Sequence, residues 1–161
     1  MANDWDLVIR KVNDIVKSDK AVRTAITTVL AEQKTRIFSD GFDSKGTQIG
    51  TYSTAKTSVS KKQQSRNTGK TYFKGGYAEY KTLSGNNPGH VILKNFGQMQ
   101  SDYTFQVLGK DQYGLGYTND LNYNKSQWME KKYGKSIFNQ SKNEGEILEK
   151  VINSELEKSL R

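Results

Sequence analysis

The sequence predicts an α+β domain: N-terminal helices, a small antiparallel sheet interrupted by a long basic loop, and a C-terminal helix packed on the sheet. Three observations predict it. Apolar residues recur at three- and four-residue steps at both ends of the chain. Between them lie short runs of aromatic and β-branched residues. Those runs are separated by Gly and Asn turns. At 161 residues the chain is long enough for one domain with a real core. The organisation read from it is a helical segment over 4–38, a basic loop over 39–70, a sheet over 71–118 and a final helix over 141–160.

Asp4 to Lys17 carries Trp5, Val8, Ile9, Val12, Ile15 and Val16 as one apolar stripe. Ser18 and Asp19 then offer an N-cap for a second helix, with Val22, Ala25, Ile26, Val29, Leu30 and Ile37 on its buried side. Two helices or one bent helix both satisfy the pattern. After Phe38 the chain turns through Ser39-Asp40-Gly41 and again through Asp43-Ser44-Lys45-Gly46, where glycine suits a positive φ.

From Thr51 to Ser65 the only apolar residues are Tyr52, Ala55 and Val59, too few to offset the entropy of ordering the segment. A loop is expected there. It is basic: between Lys45 and Lys81 there are eight Lys or Arg and one acid, Glu79. Thr71 to Phe73, Tyr77 to Thr82, His90 to Leu93, Tyr103 to Leu108 and Gly114 to Thr118 have strand composition. Asn86-Asn87-Pro88-Gly89 reads as a turn, and Asn95 to Ser101 as a helical turn that reverses the chain. Tyr103 to Leu108 and Tyr113 to Thr118 read as a hairpin. A short helix is expected over Ser126 to Lys132, carrying Trp128 and Met129. Ser141 and Glu144 have capping-box spacing ahead of Ile147, Leu148, Val151, Ile152, Leu156 and Leu160, a stripe expected to be core.

The bulk numbers narrow the function classes. Apolar residues make up 34% and charged residues 26%, and Lys plus Arg exceed Asp plus Glu by 25 to 17, a net charge of +8. Mean hydropathy is −0.82 and the pI about 9.5. Such a charge suits contact with DNA or an acidic protein surface. There are no cysteines, which removes disulfides and thiolate metal sites. No run reaches the roughly 18 apolar residues of a membrane span. The start, MANDWDLVIRK, has acids where a secretion signal has basic residues, so a protein kept in a cytoplasm or in a particle assembled there is expected.

No motif carries chemistry. Gly69-Lys70-Thr71 and Gly134-Lys135-Ser136 echo the end of a phosphate-binding loop, but Gln64 and Met129 stand where its first glycine belongs. Gly114 and Gly116 lack the third glycine of a dinucleotide fingerprint. A single histidine, His90, makes a His-based triad or a transition-metal site improbable. Asp40 and Asp43 lack the rest of a calcium loop. No spacing among the 17 acids singles out a hydrolytic pair. No catalytic, cofactor or metal residue is therefore assigned.

Phe38, Gly41, Asp43 and Gly46, then Asn95 to Ser101, Gly109 to Tyr117, and Lys135 to Ser141 resemble, in that order, the virion-morphogenesis and tail-completion proteins of tailed bacteriophages. The resemblance runs from Leu30 to Val151. The chain departs from the family in having Ile49 where members often carry Trp, no histidine with glycine after the hairpin, and Lys135 for the usual arginine. The resemblance implies a non-enzymatic structural subunit of the neck. It would sit in a ring of identical copies between portal or adaptor and tail proteins, around a channel through which DNA passes, with no cofactor and no membrane. The expected partner- or DNA-facing residues are Lys56, Lys61, Lys62, Arg66, Lys70 and Lys74, with Tyr52, Tyr72, Phe73 and Tyr77 as interface aromatics. The alternative is a small basic nucleic-acid-binding protein that uses Lys61, Lys62, Arg66 and Lys70 on phosphates and Tyr72, Phe73 and Tyr77 for stacking.

Overall fold

The computed structural model describes residues 20–60, 70–85, 89–110 and 112–160, so the first expected helix and the caps Ser18 and Asp19 lie outside it. Its elements are α1 (Lys20–Thr35), a π-helical turn (Arg36–Asp40), β1 (Thr57–Ser60), β2 (Lys70–Phe73) and α2 (Gly76–Leu83). They continue as α3 (Gln98–Asp102), β3 (Tyr103–Gly109), β4 (Gln112–Tyr117), α4 (Asp120–Tyr133) and α5 (Lys142–Leu160). The class is α+β. The strands form two separate antiparallel pairs, β1 with β2 and β3 with β4, where one sheet was expected.

In α1 the buried row is Ala21, Ala25, Val29 and Gln33, one residue per turn, and Ile37 and Phe38 extend it into the π-turn. The amides of Gly41 and Phe42 both reach back to the carbonyl of Arg36, which widens the last turn and stops the helix. Gly41 has φ 70°, and a Cβ there would stand 2.3 Å from the carbonyl oxygen of Val91, so no other residue fits. Asp43 then builds the second turn. Its carboxylate accepts from the amides of Lys45 and Thr47 and from the Thr47 hydroxyl, and Lys135 stands 3.6 Å away. Burial pushes its pKa up. The hydrogen bonds from Thr47 and Lys45, helped by Lys135, outweigh that and hold it below the ordinary carboxylate value.

The main core consists of Ile37, Phe38, Ile49, Val91, Leu93, Tyr103 and Ile137, with Phe138 and Tyr117 packed beside Tyr103. Ile49, which stands where the resembled family often has Trp, is 1% exposed and fills this core. A second cluster joins Val59, Phe73 and Tyr80, and Tyr77 leans on it.

Several sequence expectations are corrected here. Thr57–Ser60 is a strand inside the expected loop, because Val59 pairs with Thr71 and covers Phe73 and Tyr80. Tyr77 to Thr82 is helical: Glu79 accepts from the amide of Gly75 and closes the first turn of α2. His90 to Leu93 forms no strand and joins no ladder. The amide of Val91 donates to Gly50 and that of Ile92 to the Tyr52 hydroxyl. The helix expected over Ser126 to Lys132 begins at Asp120, because the Asn119 side chain caps it. The helical turn before β3 and the hairpin stand as expected, with Phe105 stacked on Tyr113 and the Arg23 guanidinium over both rings.

The capping box is present. Ser141 Oγ accepts from the amide of Glu144, and Glu144 accepts from the amide of Ser141. The helix it opens packs along α1 rather than on a sheet. A cleft of about 290 Å³, lined by Val29, Tyr103, Leu115 and Leu148, lies between α1, the hairpin and α5. Ile147, Leu148, Val151, Ile152 and Leu156 are only half-buried, so the anchor of α5 is polar. Glu144, 2% exposed, binds Arg36 Nε at 2.7 Å. Arg36 spends its other donors on the carbonyls of Phe42, Ile137 and Asn139. Gln33 completes the network, donating to Glu144 and accepting from the Tyr103 hydroxyl at 2.6 Å.

Glu144→Ala should therefore cost about 3–5 kcal/mol, since it strands a largely buried guanidinium. Ser141→Ala removes only one cap bond and should cost about 0.5–2 kcal/mol. Urea denaturation of the two variants checks this, and equal losses would show that the ion pair does not anchor α5.

Candidate functional site: a lysine and aromatic groove

A groove of about 570 Å³ opens where the two apolar clusters meet. Three parts of the chain wall it: residues between Tyr52 and Thr57 with Tyr77 and Lys81, the segment from 91 to 99 that leads into α3, and one face of α4. On α4 the lining residues are Lys125, Trp128, Met129, Lys132 and Tyr133, spaced at three and four so that they share a face. The lining holds five lysines, Lys56, Lys81, Lys94, Lys125 and Lys132. It holds five aromatics, Tyr52, Tyr77, Phe96, Trp128 and Tyr133, and no carboxylate among the described residues.

Lys81 lies at its base, 1% exposed. α2 places it there because Gly76, at φ 73°, starts the helix hard against the backbone of Ser53 and Ala55; a Cβ would meet both carbonyl oxygens at 2.5 Å. The Lys81 ammonium donates to the carbonyl of Lys94 at 2.5 Å and sits 5.4 Å from the centre of the Tyr52 ring. Tyr52 is itself fixed: its hydroxyl donates to the carbonyl of Ile92 and accepts from that residue's amide. Burial lowers the pKa of Lys81 from 10.5 to about 8. Burial likewise raises Tyr52 to about 12 and Tyr77 above the ordinary 10. Phe96 and Trp128 stand on the rim, more than half exposed, and Lys132 covers a face of Trp128 at 4.7 Å.

Of the expected site residues, Tyr52, Lys56 and Tyr77 line this groove. Lys70, Tyr72 and Lys74 are exposed on and beyond β2, away from it. Phe73 faces inward and belongs to the second cluster, so its place is core rather than interface. Lys61, Lys62 and Arg66 fall outside the described residues. Lys81, Lys94, Lys125, Lys132, Phe96 and Tyr133 were not anticipated as site residues. The spacing of Lys125, Trp128, Met129 and Lys132 was a readable signal of a shared face. Lys81 gave none, because a lysine in a polar stretch reads as exposed.

Among the described residues no group of three or more His, Asp or Glu could hold a metal ion, and no helix is long and apolar enough to cross a membrane. His90 is structural, its Nε2 2.7 Å from the carbonyl of Asp40. No family model, curated protein or solved structure matches the chain.

The buried lysine has a measurable consequence. Between its folded pKa of about 8 and the ordinary 10.5, the unfolded chain holds a proton that the folded chain has shed. Stability contributed by Lys81 therefore rises with pH through that window, and below it the charged form burdens the fold. Lys81→Met should be more stable than the parent near pH 7, with the gap narrowing by about pH 9.5. Urea titrations at the two pH values test this, and a gap that stays constant would mean the ammonium is not desolvated. Both pH values lie below the ordinary tyrosine pKa of 10, above which the raised pKa values of Tyr52, Tyr103 and Tyr117 make stability fall as pH rises.

Proposed function

We propose that this chain is a structural subunit of the neck of a tailed bacteriophage, a tail-completion protein that joins the portal or its adaptor to the tail. It acts in a ring of identical copies, in the virion, after assembly in the host cytoplasm. The observation that supports this reading is where the resembling blocks lie. The first and the last, about ninety residues apart in the chain, meet through Asp43 and Lys135 and through the Ser44 amide on the Ser136 carbonyl, and the Arg36–Glu144 ion pair lies just outside the two blocks in sequence. They are framework. Residues that build a framework and leave basic and aromatic surface outside suit a protein that works by fitting between others. A ring needs two different faces per subunit. Exposed Tyr72, Phe96, Trp128 and Leu121 supply apolar anchors for such faces.

The second reading, a small basic nucleic-acid-binding protein, has the five groove lysines in its favour. Binding of a DNA oligonucleotide that weakens steeply with salt would favour it.

A nonsense codon early in this chain's gene, in the phage that carries it, should leave DNA-filled heads and separate tails in electron micrographs. Joined, infectious particles would overturn the proposal. The purified chain should scatter light as a monomer or weak oligomer at micromolar concentration, closing into a ring only on its neighbours.

A further inference from the structure

We propose that the groove is a docking site for an acidic, partly apolar segment of a partner protein, with one carboxylate of that segment seated on Lys81. Charge complementarity is the first ground. Lys56, Lys94, Lys125 and Lys132 line the groove with Lys81, and among the described residues none that lines it is acidic. The state of Lys81 is the second. An ammonium carries three donors, and here one is used, on the Lys94 carbonyl. A lysine that is 1% exposed and has no counter-ion among the described residues is incomplete, and burial is what lowers its pKa. An arriving carboxylate supplies the missing acceptor and charge.

The walls favour a protein segment over nucleic acid. A carboxylate at the end of a flexible side chain can reach a recessed ammonium, whereas a phosphodiester is flanked by sugars on both sides. Two of the rings a base could stack on already have neighbours: Tyr52 has Lys81 and the edge of Tyr77, and one face of Trp128 has Lys132. Met99 and Met129 add adaptable apolar surface of the kind that accepts aliphatic side chains. The site does not rest on the neck assignment, and its failure would leave that assignment where it stands.

Calorimetric titration of the full chain tests it with three probes: a blocked pentapeptide of alternating leucine and glutamate, its glutamine counterpart, and an oligodeoxythymidylate. Near pH 7 the glutamate peptide should bind at least about tenfold more tightly than the glutamine peptide, a difference of about 1.4 kcal/mol. That preference should largely vanish in Lys81→Met. It should also fall in the unaltered protein at about pH 9.5, where Lys81 is neutral and the exposed lysines, with an ordinary pKa of about 10.4, are still mostly charged. The pH arm needs no variant, so it decides even if Lys81→Met folds poorly. Equal affinity for the two peptides, a preference that survives at high pH, or tighter binding of the oligonucleotide would each overturn the proposal.

Discussion

The fold depends on one buried ion pair. Arg36 opens the π-helical turn that closes α1 and Glu144 lies in the first turn of α5, and among the described residues each is the other's only ion-pair partner. Around them gather groups that irregular backbone would otherwise leave unsatisfied: the carbonyls of Phe42, Ile137 and Asn139 and the amide of Ser141. Buried backbone polar groups must find partners, and these have no ladder or helix to supply them. A guanidinium does so because its donors fan out in a fixed plane and can serve several carbonyls and a carboxylate together. The pair thus sets where the strap from Ile137 to Asn139 lies, and with it the angle at which α5 meets α1.

Lys81 is the opposite case. It too is a cation under an apolar roof, but what it meets is one carbonyl and the face of a tyrosine. Arg36 is stabilised by its neighbours in the isolated chain, whereas Lys81 is tolerated by them. That difference separates a structural charge from one whose surroundings are half built.

Much of the framework was legible in the sequence. Ser141 and Glu144 announced the capping box, Gly41 and Gly46 the two turns, and the stretch from Tyr103 to Tyr117 the hairpin, because each is a local signal read within a few residues. The π-turn was not legible, since it is set by the Arg36 carbonyl accepting two amides at once. Gln33 was also missed. It occupies an apolar row, and only the distant Tyr103 and Glu144 explain why a polar side chain belongs there. β1 and α2 were misread for a shared reason. Val59, Phe73 and Tyr80 are scattered among polar residues, and they make a cluster only after the chain has doubled back.

The groove escaped sequence reading more completely than the fold did. Its lysines come from Lys56, Lys81, Lys94, Lys125 and Lys132, spread over nearly half the chain, and each one alone is an ordinary solvated lysine. The framework blocks and the groove therefore answer different questions. Blocks such as Asp43 to Gly46 and Lys135 to Ser141 report how the chain folds, and any chain folding this way needs something like them. The charge gathered in the groove is not required by folding, because a neutral side chain at Lys81 would spare the fold a desolvated cation. A cost of that kind, borne at the base of a cleft lined by exposed aromatics, has its physical reason in what the cleft receives.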